Sequence, residues 1–153
     1  MFSGWLRRLL VLGVAAVLLV ARMSHAGFSP EIDHALRTAK ELYVATERKG
    51  GVLSKVSPIW FMYDGQAVYF TTGPETWKAK RIRAGKPVHV WVGAADGPAF
   101  VTKAELSSDP ALAERMGPVY AQKYWIAWLG LFQPRASRVR EGKTLIVVVH
   151  PPA

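Results

Sequence analysis

The run Val56-Ser-Pro-Ile-Trp-Phe-Met-Tyr63, Asp64-Gly65, Gln66-Ala-Val-Tyr-Phe-Thr-Thr72 decides the fold. Two β-rich segments flank Asp64-Gly65, a dipeptide suited to the positive backbone angles of a hairpin turn. Neither segment alternates cleanly, because Ile59, Phe61 and Tyr63 fall on one side while Val56, Trp60 and Met62 fall on the other. Both faces should be covered, one by a barrel interior and the other by a helix or a second subunit.

Upstream, Ser29-Pro30-Glu31 has the form of an N-cap with proline at the first helical position, and Ile32, Leu36 and Ala39 then share one face of a short helix. From Leu42 the apolar period becomes two, which predicts strands near 42–48, 52–63, 66–72, 87–92 and 99–107. Lys49-Gly50-Gly51 and Gly93-Ala-Ala-Asp-Gly97 supply two further turns. Phe100, Thr102, Ala104 and Leu106 alternate with Val101, Lys103 and Glu105, so that strand has one wet face. A second helical segment begins at Asp109-Pro110, is expected to break at Gly117-Pro118, and resumes through Tyr124-Trp-Ile-Ala-Trp128. Thr144-Leu-Ile-Val-Val-Val149 is apolar on both faces and must be a central strand. The predicted architecture is mostly β with inserted helices, a small six-stranded antiparallel barrel.

Composition narrows the functions. Half of the 153 residues are apolar and 20% are charged, as in an ordinary globular chain. Zero cysteines exclude disulfides, thiolate metal sites and a cysteine nucleophile. The four histidines stand at 25, 34, 89 and 150, too scattered for a histidine-rich metal cluster, and neither a P-loop nor a G-x-S-x-G elbow occurs.

Residues 1–26 read as an export signal. Arg7-Arg8 precede the uncharged run Leu9–Ala21, and Ser24-His25-Ala26 places small residues where a signal peptidase cuts, so the expected mature chain is a single domain, 27–153. The arginine pair also fits a loose twin-arginine signal. The 13-residue run is short of the roughly 20 residues a spanning helix needs, which leaves an anchor formed by residues 5–21 as the alternative and makes a membrane a partner only of an uncleaved chain. Without the leader's three arginines the net charge of +9 falls to an excess of six, which suits an anionic partner. Nucleic acid is not expected as that partner, since the aromatics lie in apolar runs and not among the basic residues.

The stretch Tyr69-Phe-Thr-Thr72-Gly73-Pro-Glu-Thr76-Trp-Lys78-Ala-Lys-Arg81 ends a strand, turns through hydroxyl residues and opens a helix expected to be capped by Thr72 or Gly73. A helix opening offers unpaired N–H groups to an anion, and a lysine adds a full charge. A capped surface helix with a solvated basic face explains the same residues.

Order and spacing together resemble the FMN-binding split-barrel family, which includes pyridoxamine 5′-phosphate oxidase and the deazaflavin (F420)-dependent oxidoreductases. The resemblance covers roughly Tyr43 to Val92 and rests on Pro58-Ile-Trp-Phe61, Asp64-Gly65, Val68-Tyr-Phe-Thr-Thr72, Thr76-Trp-Lys-Ala-Lys-Arg-Ile82 and Gly85-Lys-Pro-Val88. It implies a split barrel of the FMN-binding type and a homodimer with the cofactor between subunits. By the resemblance Lys78 binds the cofactor phosphate, Thr72 and Thr76 supply hydroxyls, and Arg81 a second cation. The backbone of Val56, Ser57, Pro58 and Ile59 runs along the flavin ring, with Trp60 beside it. The implied cofactor is FMN, with F420 and haem as alternatives, and the implied activity an exported oxidoreductase of unassigned substrate or a non-catalytic flavin or haem binder on the same barrel. Gly73 and Trp77 stand where family members often have Asn and Arg, and His150-Pro-Pro-Ala153 lacks the C-terminal motif that grips a pyridoxal substrate. That particular activity is not expected.

Outside this stretch, Trp125 and Trp128 are expected to pack in the core, with a place in a substrate pocket as the alternative. His89 is expected to face away from the barrel interior with no carboxylate partner, and His34 to be wet. The charge run Arg135, Arg138, Arg140, Glu141, Lys143 reads as a solvated loop able to hold the anionic tail of a large cofactor.

Overall fold

The computed structural model describes residues 27–153; the leader, its cleavage site and the anchor reading lie outside the described residues. Among the described residues no helix is long and apolar enough to cross a membrane.

Helix α1 (Pro30–Thr38) leads to β1 (Leu42–Thr46), a 3-10 turn at Lys49–Gly51, β2 (Ser57–Ile59), β3 (Met62–Tyr63) and β4 (Val68–Thr72). Then follow α2 (Trp77–Arg83), β5 (Val88–Val92), β6 (Ala99–Thr102), β7 (Ala104–Ser107), α3 (Pro110–Lys123), α4 (Trp125–Trp128), α5 (Ala136–Arg140) and β8 (Leu145–Val149). All strand pairings are antiparallel, in two four-stranded sheets ordered β2-β1-β5-β6 and β3-β4-β8-β7.

Two antiparallel sheets with helices agree with the expected split barrel, but the strands number eight among the described residues and not six. The segment expected as one strand over 52–63 starts with a single antiparallel bridge of Leu53 to Glu47, then breaks at Trp60-Phe61, so β2 joins the first sheet and β3 the second. The segment 99–107 breaks in the same way at Lys103. A strand that changes sheets keeps its period of two through the step, so the pattern alone could not mark the break.

Between the sheets lies one core. Leu42, Val44, Val88, Val90 and Phe100 from the first sheet meet Val68, Phe70, Val147 and Val149 from the second, and α1 closes one end with Ile32 and Leu36. The outer face of β4 and β8 carries Tyr69, Ile146 and Val148, which pack against Ala113, Met116 and Tyr120 of α3. Two-sided burial of the β4 hairpin is thus met within the chain, by a helix. β8, flanked by β4 and β7, is central as its composition demands.

The hairpin turn at Asp64 is longer than expected, running over Asp64–Ala67, with Gly65 at φ +88°. One carboxylate oxygen of Asp64 accepts the N–H groups of Gln66 and Ala67, both at 2.9 Å, and the other accepts the Tyr69 hydroxyl (2.9 Å) and an Arg115 N–H (3.0 Å) from α3. At Gly97 a Cβ would lie 2.1 Å from the carbonyl oxygen of Val92, so only glycine closes the β5–β6 turn. Pro118 does not break α3 as expected. The missing N–H removes one ladder bond, while the buried face of Ala113, Met116 and Tyr120 holds the helix across it. The break falls at Tyr124 instead, between α3 and α4.

Candidate functional site

The step from β2 to β3 leaves backbone groups at Trp60 and Phe61 without strand partners, and three side chains near the end of α3 take them up. The Tyr120 hydroxyl donates to the Trp60 carbonyl at 2.7 Å, the Phe61 N–H donates to the Tyr124 hydroxyl at 3.1 Å, and the Lys123 ammonium donates to the Phe61 carbonyl at 3.1 Å. Residues 120, 123 and 124 share one face by the i, i+3, i+4 rule. Tyr124 in turn donates to the Lys40 carbonyl, and Lys40 donates to the Lys123 carbonyl at the helix end, where a cation also meets the negative end of the helix dipole. Burial drives the Tyr120 hydroxyl far above its ordinary range and Tyr124 up to about 12, so both stay protonated donors.

Two clefts open on either side of this step, and Trp60 lines both. The first, about 370 Å³, is walled by Pro58, Ile59, Trp60 and Thr71 on one side and by Phe132, Arg135, Arg138 and Thr144 on the other. β2 is the terminal strand of its sheet, so its outer edge has backbone groups free of a strand partner. Arg135 donates to the Gly130 carbonyl, and Arg138 reaches Thr144 Oγ1 at 3.4 Å. Among the described residues neither arginine forms an ion pair, so the cleft presents an edge of extended backbone, an indole and two cations. That combination accepts a planar group with an anionic tail.

The residues picked out around Lys78 separate into two groups. α2 is capped by Thr76, not by Thr72 or Gly73 as expected: Thr76 Oγ1 accepts the Ala79 N–H at 3.2 Å, so the helix opens four residues later. Thr76 Oγ1 also donates to the Gly73 carbonyl (2.9 Å) and lies 2.9 Å from Thr72 Oγ1, so the two hydroxyls are joined to each other. Lys78 is half-buried, with Nζ 5.6 Å from the Phe70 ring centre, and forms no ion pair or hydrogen bond among the described residues. Burial lowers its pKa, which is the signature of a cation lacking a counter-charge. Arg81 turns the other way, donating to Thr46 Oγ1 at 3.3 Å and lying over the Trp77 ring at 5.5 Å. Pro58, Ile59 and Trp60 meet in the first cleft, Ser57 pairs with Val44 along β1, and Val56 precedes the strand.

The second cleft, about 650 Å³, lies between the start of β1 and the α3–α4 junction and is lined by Lys40, Glu41, Trp60, Lys123, Tyr124, Trp125 and Trp128 among others. Trp125 and Trp128 are 74% and 73% exposed, which corrects the expectation that they pack in the core. The buried positions of this segment are Tyr124 and Ala127, so the helix face is rotated away from the tryptophans. His89 is a second correction, because its Nε2 lies 2.9 Å from Glu47 Oε1. Register makes this pair: β1 and β5 align Ala45 with His89, two residues from Glu47, and no local pattern announces it. His34 is exposed as expected. Among the described residues no cluster of three or more His, Asp or Glu could hold a metal ion.

Sequence reasoning missed Lys40, Thr71, Tyr120 and Thr144, which reach the clefts through pairings distant in the chain; only the Arg135–Arg138 run carried a local signal. Comparison with known proteins bears on the same geometry. No curated protein matches the sequence. Among solved structures the chain is similar to an F420 reductase, with 25% identity, a TM-score of 0.53 and coverage of 79% of this chain and 93% of that one. It also shares its fold with general stress protein 26 of Bacillus anthracis (16% identity, TM-score 0.56, 79% and 86% covered) and with the flavocytochrome Anf3 of Azotobacter vinelandii (17%, 0.54, 80% and 64%). Residues 28–150, nearly all of the described chain, match the pyridoxamine 5′-phosphate oxidase family, and the chain belongs to that family of proteins that bind flavin-type cofactors.

Proposed function

We propose that the protein is an oxidoreductase that holds FMN, or the deazaflavin F420, in the first cleft. The observation that carries this reading is the convergence there of a free β-edge, Trp60 and unpaired arginines, in a chain of this family. In this reading the backbone of Val56, Ser57, Pro58 and Ile59 runs along the ring system and Trp60 covers it. Lys78 neutralises the phosphate, Thr72 and Thr76 turn their hydroxyls toward it, and Arg135 and Arg138 hold any longer anionic tail, while Arg81, engaged with Thr46 and Trp77, stays apart from it. The bound ring would supply the hydride or electron chemistry. The side chains orient it and exclude water, and among the described residues the cleft lining holds no carboxylate or histidine that could move a proton. Haem fits less well, since the same lining offers no histidine, methionine or cysteine to its iron.

An absorbance spectrum of protein purified from its native host tests the reading. A two-banded flavin spectrum or the single long-wave band of a deazaflavin is expected; a Soret band replaces the reading with a haem carrier, and a colourless protein that binds none of the three in titration removes it. We also infer that the protein works outside the cytoplasm, with a mature chain beginning at Gly27. Mass spectrometry of the native protein checks this, and finding Met1–Ala26 intact in the membrane fraction would substitute the anchor.

A further inference from the structure

The cofactor reading leaves the second cleft unused, yet it is the larger of the two and shares Trp60 with the first. Its aromatic equipment is unusual in being unused. Trp125 and Trp128 line it with about three-quarters of their surface in water, and Trp60 lines it as well, stacked parallel on Tyr124 with ring centres 4.2 Å apart. Exposed indoles are free to close on a flat apolar ligand at little conformational cost.

Its charges are equally unspent. Lys40 and Lys123 each donate to a single main-chain carbonyl, and neither forms an ion pair among the described residues. An ammonium carries three donors, so each lysine keeps two in reserve. Glu41, the one carboxylate in the lining, is bonded to neither, and the lining as a whole is positive. Lys123 is pressed against the Phe61 ring, 3.2 Å from its centre, where water is largely excluded.

We propose that this cleft binds a planar aromatic anion, its ring between Trp60, Trp125 and Trp128 and its negative group at the ammonium groups of Lys40 and Lys123. Only the role assigned to that compound rests on the cofactor reading: with a flavin in the first cleft, which Trp60 also lines, the compound bound here is the substrate. Its binding stands on the cleft itself. Burial, and secondarily the charge of Lys40, bring the Lys123 pKa down to about 7. An anion beside it reverses that shift, so binding takes up a proton and weakens as the pH rises above 7. Lys40, Glu41 and Tyr124 also face the cleft, and burial raises the Tyr124 hydroxyl to about 12, so that group does not mimic this.

Naphthalene-2-carboxylate serves as the probe, with naphthalene-2-carboxamide as its neutral isostere, and isothermal titration calorimetry on the full-length protein, with and without FMN, as the readout. The carboxylate is expected to bind at least about tenfold more tightly than the amide near pH 6, a preference worth about 1.4 kcal/mol. Its affinity should fall about tenfold or more toward pH 9, as Lys123 loses its proton. Lys123→Met should erase both the preference and the pH dependence, Lys123→Arg should keep the preference and lose the pH dependence, and Trp128→Ala, an exposed change, should weaken carboxylate and amide alike. Equal affinity for the two probes, or a preference that survives both Lys123→Met and Lys40→Met, overturns the proposal. Displacement of FMN by the probe also overturns it, because the two clefts would then be one site. Should the probe bind as described to protein that takes up no flavin, the cofactor reading fails and the anion site stands.

Discussion

Trp60 and Tyr124 are stacked with an interplanar angle of 3°, and the Tyr124 hydroxyl closes the gap that the chain leaves when it passes from one sheet to the other just after Trp60. One tyrosine thus fixes both the indole shared by the clefts and the buried N–H of Phe61. Tyr124→Phe keeps the ring and the stack and removes the hydroxyl, leaving that N–H unsatisfied in a buried place. The expected cost is about 1–3 kcal/mol of stability, read by urea denaturation. Affinity for FMN should stay within about twofold of wild type, a change worth less than 1 kcal/mol.

Asp64 ties the hairpin to α3, and its titration sets an acid limit on the fold. Burial pushes its carboxyl upward, but the N–H groups of Ala67 and Gln66, the Tyr69 hydroxyl and Arg115 outweigh this, and the net pKa lies below the ordinary carboxylate value. A lowered folded-state pKa means stability that is full above the unfolded value and lost as the pH falls through the folded one. Asp64→Asn should therefore cost about 1–3 kcal/mol near neutral pH, with the gap to wild type closing below about pH 4. Thermal melts across that range check it, and a gap independent of pH would refute the assignment.

The outer face of β4 is covered by α3, so the case for a homodimer now rests elsewhere. Leu129, Leu131 and Phe132, which follow α4 in the chain, are 55%, 54% and 77% exposed. Large apolar side chains left in water in close succession mark a surface for a partner. Light scattering at micromolar concentration should give twice the chain mass, and Leu131→Glu, which touches neither cleft, should give a monomer that still melts cooperatively. A wild-type monomer with cofactor bound ends the two-fold reading.

The parts of this fold written in local pattern were legible: the Ser29 cap of α1, the turn at Asp64, and the central strand β8 with its two apolar faces. What was not legible depends on which partner a residue meets. The breaks at Trp60 and Lys103 look like continuous strands because side-chain alternation survives a change of sheet. His89 finds Glu47 through the β1–β5 register, 42 positions away in sequence. Trp125 and Trp128 are apolar and evenly spaced, which reads as core, but tertiary packing selected Tyr124 and Ala127 for burial and turned the indoles outward. The alternative place for the two tryptophans, a pocket, does match the second cleft, but its other wall was not legible, since Lys40 reaches Lys123 only through the fold.

The half-buried Lys78, with no counter-charge among the described residues, gives the sharpest test of the cofactor reading. Its lowered pKa says that the folded protein holds the ammonium in a place poor in water, a cost that a phosphate would offset. Lys78→Ala should then weaken FMN binding by about ten- to a hundredfold, the loss of one charge-assisted hydrogen bond of about 1.5–3 kcal/mol. Unlike a lysine engaged in a native ion pair, it should leave the stability of the cofactor-free protein unchanged or slightly raised, because a poorly solvated charge is removed and no bond is broken. Lys80→Ala is the control. That side chain is exposed, paired with Glu75 at 3.5 Å and laid over Trp77, on another side of α2, and its loss should move neither quantity by more than about 0.5 kcal/mol. Fluorescence titration of FMN and F420 into the three proteins measures the first effect and chemical denaturation the second. Equal affinity of Lys78→Ala and wild type for every cofactor that binds would detach Lys78 from the phosphate and shift that role to Arg135 and Arg138.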